Sequence, residues 1–357
     1  MDKNTQLDFS GQDVFVGLDT HLKNWRVSIM VGESPFKTFS QDPRSETLRN
    51  YLIRNFPKAN YYSAYEASFC GFKIHRDLLN WGIKNIVVNP ADIPTTDKER
   101  KQKEDSRDSR KIARELSQND LTAIYIPEIE IEGDRNFIRY RKTLSKEIAR
   151  TKHRIKSQLY YFGIEIPTKF SEQKSWSNRF TSWLQELELP TESAKMTLTG
   201  HLEMAELLRK KKYSTTKEIR KLSEKAIYKE NYDLLLSVPG VGSLTAMIIL
   251  TEIGDITRFK NLDKLCSFIG LVPMTNSTGE NEKTGDITVR KNRMLRTTLI
   301  ESSWIAIRND PALMLAYQKL VKRMEPQKAI IRIAKKLVNR ILYVLKNKKA
   351  YVQAIVK

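Results

Sequence analysis

Cysteine is scarce in this chain. Its 357 residues include only two, Cys70 and Cys266, far apart and without the close spacing a metal site needs. That excludes a disulfide framework, and the simplest reading makes both of them reduced core residues of a cytosolic protein. Long apolar runs are also missing: no stretch approaches the roughly 18 residues needed to cross a bilayer. Met1 to Gln6 lack the apolar centre of a signal peptide, so the expectation is a cytoplasmic protein with no membrane partner. No fixed-period repeat or low-complexity tract is visible. Acid is in deficit, with 42 Asp plus Glu against 62 Lys plus Arg, a net charge of +20. Such an excess draws a chain to polyanions through counterion release, which makes nucleic acid the leading partner; a basic but idle surface is the plainer alternative.

The length suits two or three domains. Residues 12 to 126 alternate strand and helix signals: strands at Asp13 to Asp19, Trp25 to Met30 and Phe36 to Phe39, a helix at Ser45 to Arg54, and a strand at Tyr61 to Tyr65. A helix at Gly71 to Trp81, a strand at Asn85 to Val88 and a helix over Asp105 to Leu116 follow. Three strands and then helix–strand alternation is the order of an RNase H-like α/β domain, assigned to 1–130. The polar stretch Thr95 to Lys103 reads as a loop, either contacting phosphate or merely joining elements. Over 131–230 strand signals vanish, and charged segments carry Leu144, Ile148, Ile155 and Leu159 at helical spacing. This part reads as a helical, partly coiled-coil spacer that carries dimerisation. Residues 231–357 read as a mainly helical third domain, basic to its end. The fold class expected is therefore α/β plus all-α.

Four acids fall where an RNase H-like sheet places metal ligands. Asp19 ends the first apolar strand run, and Glu66 ends the run Tyr61 to Tyr65. Asp105 and Asp108, three apart, share one face of a helix. Hard carboxylate oxygens converging from several elements suit Mg²⁺ held between protein and phosphate. The plainer alternatives are helix-start acids favoured by the dipole for Asp105 and Asp108 and a turn cap for Asp19. His21 and His75 are assigned no role.

The run Leu234-Leu235-Leu236-Ser237-Val238-Pro239-Gly240-Val241-Gly242 before a further apolar segment is the pattern of a helix-hairpin-helix. There Gly240 and Gly242 would let backbone N–H groups approach a phosphate. A turn between two core helices is the alternative. No Lys-Ser/Thr pair or preceding strand supports a P-loop or Rossmann turn. Further on, a glycine-bounded polar loop carries Ser277 and Thr278, followed by Arg290, Arg293 and Arg296. A hydroxyl before several cations suits a nucleophile whose phosphate target the arginines clamp, and an ordinary loop serine fits the spacing as well.

Together these segments resemble a known family. Val16-Gly17-Leu18-Asp19-Thr20-His21, Tyr65-Glu66-Ala67 and Glu104-Asp105-Ser106-Arg107-Asp108-Ser109-Arg110-Lys111 are similar to the RuvC-like N-terminal domain of the DEDD transposases of insertion sequences. Pro239-Gly240-Val241-Gly242, Glu252-Ile253-Gly254-Asp255, Arg258-Phe259, Gly270-Leu271-Val272-Pro273, Ser277-Thr278-Gly279 and Leu295-Arg296 resemble that family's C-terminal domain, in order and spacing. Invertases of the Piv type share both domains. The resemblance implies Asp19, Glu66, Asp105 and Asp108 as ligands of Mg²⁺, with Mn²⁺ the alternative ion, and Ser277 as a covalent nucleophile on DNA. It further implies a structured guide RNA from the element's non-coding end and homodimers that pair into tetramers, with the acidic site of one protomer completing the serine site of another. In a bacterial cell such a protein would sit at the nucleoid when active. A Piv-like invertase and a metal-dependent junction nuclease without a covalent step are the rival functions. The chain departs from the family pattern at Glu104, where threonine is common, at Ser109 for alanine, at Thr278 for a second serine, and at Lys291, where glycine is expected.

Overall fold

A computed structural model gives the fold. It describes residues 8–94, 105–171, 176–278 and 281–353, with the side chains of 105–107, 275–278 and 281–286 outside the described set. The chain divides into two compact units, Met1–Ile126 and Pro127–Lys357.

The first unit is built on a mixed sheet of order β3-β2-β1-β4-β5. β1 (Asp13–Thr20), β2 (Trp25–Val31) and β3 (Ser34–Gln41) form an antiparallel meander; β4 (Asn60–Glu66) and β5 (Lys84–Val88) add in parallel beyond β1. Alternation along the strands sorts side chains between the two faces. Val14, Val16, Leu18 and Tyr65 point to one face, where they pack with Leu48 and Leu52 of α1 (Ser45–Asn55) and Ile74 and Leu78 of α2 (Lys73–Asn80). Ala64 and Val88 point to the other and meet Ile112 of α3 (Asp105–Ser117). Helices on both faces of a sheet with this strand order match the RNase H-like expectation.

The second unit is mostly helical. Two long helices, α4 (Ile129–Tyr161) and α6 (Glu192–Leu222), run antiparallel. The direction follows from their hydrogen bonds, since Gln158 reaches the Ala194 carbonyl while Arg141 reaches Thr216. With α5 (Asn178–Glu186) they close a small apolar cluster of Ile155, Leu159, Phe180, Leu184, Leu198 and Leu202. The helices expected over 131–230 are present, and these two pair within one chain. The larger core surrounds α8 (Ser243–Ile253), whose residues from Ala246 to Ile253 are all buried. A helix apolar all round belongs at the centre of its domain. Around it stand α7 (Ala226–Leu236), α9 (Leu262–Ile269), α10 (Arg293–Asn309), α11 (Pro311–Val321) and α12 (Pro326–Asn347). The boundary expected at 230/231 falls inside α7, so the anticipated spacer and third domain share one compact unit.

Two local expectations change. The segment carrying Ser277, read as a loop, is a strand: β6 (Pro273–Thr278) pairs with β7 (Asn281–Ile287) in a two-stranded hairpin. Neither run alternates apolar and polar residues cleanly, which is why the sequence looked loop-like. The apolar helical pattern that runs from Asn339 to Val356 in the sequence ends as a helix at Asn347, where Lys348 takes a left-handed conformation; its last residues, 354–356, lie outside the described residues.

Candidate active site and nucleic-acid interface

In the first unit, Leu18 pairs with Tyr65 across the parallel strands β1 and β4. Asp19 and Glu66 are the next residue on each strand, so both carboxylates leave the sheet side by side at the strand ends. Alternation puts Asp19 on the face of Gly17 and Glu66 on the face of Ala64, the face that α3 covers. α3 reaches this end of the sheet by its N-terminal turn. Ser117, at its C-terminal end, touches Met30 Sδ at 3.9 Å, level with Phe15; Ser109 meets Ser28 Oγ at 2.9 Å, level with Gly17. Asp108 precedes Ser109 by one residue, and Asp105 precedes it by about one turn, so the start of the helix runs from the level of Gly17 toward that of Asp19.

Gly17 makes that approach possible. A Cβ built there would lie 2.0 Å from the Ser109 carbonyl oxygen and 2.4 Å from the Ala113 nitrogen. Ser109 itself is fully buried, and its hydroxyl is satisfied by Ser28, so a polar group at this departure from the family pattern costs little. Asp19 Oδ2 stands 3.1 Å from His21 Nε2, a contact that the sequence reading missed because it gave His21 no role. A histidine two residues past a strand-end carboxylate is a weak signal by itself.

Hard oxygen donors on one sheet face are the right chemistry for a divalent cation. Asp105 begins α3, and its side chain lies outside the described residues. Among the described residues no group of three or more His, Cys, Asp or Glu is placed to hold a metal ion.

In the second unit, the turn between α7 and α8 has the Pro-Gly-Val-Gly sequence. Gly240 has φ +87°, and a Cβ there would fall 2.4 Å from the Ser302 carbonyl of α10. Packing against α10 therefore already requires this glycine. Gly242 is the N-cap residue of α8 and faces open space.

The three arginines expected to clamp phosphate are placed differently. Arg296 donates through one terminal nitrogen to the carbonyls of Gly270 at 2.9 Å and Thr288 at 2.7 Å, tying the base of the β6–β7 hairpin to the end of α9. Arg293 is exposed at the start of α10, a first turn with no acid. It stands near Lys142 of α4, whose pKa is lowered first by burial and then by the positive charges of Arg293 and Lys146. Arg290 is exposed just before this turn. Ser277 lies on β6 opposite Glu282 of β7, next to the end of the strand, and Thr278 pairs with Asn281; both side chains lie outside the described residues.

Beneath the basic turn the buried Glu252 carboxylate pairs with the half-exposed Arg139, a contact to which the sequence assigns no role. Glu252 accepts from Arg139 at 2.7 and 2.8 Å and from the Asn292 side-chain amide at 2.8 Å. Asn292 in turn accepts from the backbone N–H groups of Met294 and Leu295, capping α10. Burial acts to raise the Glu252 pKa, but the hydrogen bonds from Arg139 and Asn292 outweigh it and hold the carboxyl below its ordinary range.

Comparison with known proteins places both units. Residues 16–162 match a family described as transposase, and residues 232–318 match the transposase IS116/IS110/IS902 family. The chain is 30% identical over 337 residues to a putative transposase, y4qE, of Sinorhizobium fredii, covering 92% of this chain and 80% of that protein. It is 26% identical to the transposase for insertion sequence element IS1533 of Leptospira borgpetersenii, over 70% of this chain and 72% of that one. To the transposase for insertion sequence element IS1111A of Coxiella burnetii it is 28% identical, over 67% and 65%. These matches show that the chain belongs to the IS116/IS110/IS902 family of insertion-sequence transposases, enzymes that cut and join DNA.

Proposed function

We propose that this transposase works as an RNA-guided recombinase, joining strands through a serine–DNA intermediate with the help of a divalent metal. The observation that carries the acidic half is the placement of Asp19 and Glu66 at matching ends of neighbouring parallel strands, on the face that receives the first turn of α3. Asp19, Glu66, Asp108 and Asp105 would hold the ion, Mg²⁺ or Mn²⁺. When bound, it would supply Lewis-acid stabilisation of charge on the scissile phosphate.

Ser277 is the nucleophile in this reading. Its Oγ forms a bond to phosphorus and gives up its proton, while the bond from phosphorus to one deoxyribose oxygen breaks and that oxygen takes up a proton as a hydroxyl. The phosphoester to serine preserves the bond energy for rejoining. The hairpin supports this role, because a strand braced at its base by Arg296 holds a hydroxyl better than a free loop does. Arg290 and Arg293 would face the phosphates, and Gly242 would present the start of α8 to backbone. Guide RNA pairing supplies target choice, which fits a protein of net charge +20 that meets backbone more than bases. Dimerisation fits the exposed Met196, Met204 and Leu207 of α6.

The test uses purified protein, Mg²⁺, RNA transcribed from the flanks of its gene, and labelled DNA carrying the element junction. Label that stays on the protein after denaturation with wild type, and not with Ser277→Ala, is the expected result. Free cleaved DNA from both proteins would leave a metal-dependent nuclease instead. Strand inversion at a lone segment, without element mobility, would place the chain with the Piv-type invertases.

A further inference from the structure

Between α4, α5 and α6 lies an open groove of about 1320 Å³. Seven Lys and Arg side chains line it, against only two acids, Glu203 and Glu206. Glu206 is engaged by Lys210 on its own helix at 2.7 Å. Four of the cations face one another from the two long helices: Arg141 and Lys152 on α4, Arg209 and Lys212 on α6. Among the described residues no acidic side chain forms an ion pair with any of these four; Arg141 donates to the neutral Thr216 hydroxyl at 2.7 Å.

The cost of this arrangement shows in the protonation equilibria. Burial lowers the Lys152 pKa, and the positive charges of Arg209, Lys212 and Lys156 lower it further. Lys212 is lowered by burial and then by Arg141, and Arg141 by burial. Solvated surface lysines avoid such mutual repulsion by pointing apart. Here two facing helices hold the charges together, in a place where a polyanion would turn repulsion into attraction. Aromatic faces lie among the cations: Lys152 sits over Trp176 at 5.1 Å, and Tyr213 is 67% exposed beside Lys217.

We infer that this groove holds the phosphate backbone of a nucleic-acid strand, with Arg141, Lys152, Arg209 and Lys212 on the phosphates and Tyr213 free to stack on an unpaired base. A second copy of the chain is the wrong occupant, since a two-fold pairing would set this cationic face against itself. The apolar Met196, Met204 and Leu207 on α6 lie outside the groove lining and remain free for a protomer. The inference rests on the nucleic-acid reading above and adds a binding surface that lies outside the motifs carrying the strand chemistry.

The full chain tests it as wild type, as Lys152→Gln, and as the triple variant Lys152→Gln/Arg209→Gln/Lys212→Gln. The probes are labelled RNA and DNA oligonucleotides of one mixed sequence, read by anisotropy across a salt series. The triple variant should bind about tenfold more weakly or worse near physiological salt, and its log Kd against log salt slope should be shallower by roughly two to three. The single variant should lose roughly one unit of slope. Relief of the repulsion leaves the melting temperature of the triple variant equal or higher, which separates the binding loss from misfolding. A loss confined to RNA assigns the groove to a guide strand, and one confined to DNA assigns it to the element; either supports the inference. Wild-type binding with unchanged affinity and slope in the triple variant overturns it, as does a loss of self-association in place of binding. A wild type that binds neither nucleic acid overturns the function proposed above along with it.

Discussion

Gly17 lies directly beneath Ser109: a methyl group on the strand residue would sit 2.0 Å from the helix residue's carbonyl oxygen. Backbone occupies the space, so no side chain can rotate away to accommodate a larger residue. Gly17→Ala must push α3 off the sheet, and the shift moves the start of that helix away from the end of β1. The expected cost is about 3 kcal/mol or more in unfolding free energy, with loss of strand cleavage. Gly133→Ala is the matched control. Gly133 lies in α4 with nothing within 4 Å of its would-be Cβ, and alanine there should stabilise by roughly 0.5–1 kcal/mol. Denaturant melts of the two variants check both signs.

Glu252 sets an acid limit on the second unit. Its carboxyl is buried, and hydrogen bonds from Arg139 and Asn292 outweigh that burial, holding its folded-state pKa below the ordinary glutamate range. A carboxylate depressed on folding adds stability that is fully present above its unfolded pKa. That stability is lost as the pH falls from the ordinary glutamate value through the lower folded one. Stability against pH should therefore decline through the range just below pH ~4.5, and Glu252→Gln should flatten that decline. At neutral pH Arg139→Met leaves the carboxylate with Asn292 alone and should cost roughly 2 kcal/mol, discounted because the arginine is half exposed. Urea titrations at neutral and acid pH read both effects.

Arg293 and Arg296 make a discriminating pair. The sequence groups them as phosphate clamps, whereas the fold gives Arg296 two backbone carbonyls and leaves Arg293 exposed beside Lys142. Arg296→Met should destabilise by about 1–2 kcal/mol and loosen the hairpin that carries Ser277. Its effect on the salt slope of nucleic-acid binding should be small. Arg293→Met should leave the melting temperature within a degree or two and reduce that slope by about one. Reversed results would return Arg296 to the phosphate.

What the sequence made legible follows from where its signals are local. Strands β1, β2 and β4 and helices α1 and α3 lie where alternation and helical spacing put them, because one face of each is buried and the pattern records that burial. Asp19 and Glu66 stood out because each ends such a strand. The β6–β7 hairpin was hidden because its residues do not alternate. The bracing role of Arg296 was hidden because its partners are carbonyls, which leave no mark on residue type. For Gly240 the sequence correctly identified a tight turn but not its neighbour, since α10 arrives from some sixty positions away.

Asp19 offers the sharpest test of the acidic site. The carboxylate is one-fifth exposed, and His21 holds one of its oxygens at 3.1 Å. Asparagine keeps the size and an oxygen for that contact but removes the charge that binds a cation, so Asp19→Asn should fold as wild type does. Strand cleavage should fall by about a hundredfold or more, with nucleic-acid affinity retained. Cleavage by wild type should likewise vanish in chelator and return with added Mg²⁺ or Mn²⁺. If Asp19→Asn cuts DNA at the wild-type rate, the β1–β4 strand ends are not where the metal is held. If only the melting temperature falls, Asp19 serves the fold through His21 and the acidic site lies elsewhere.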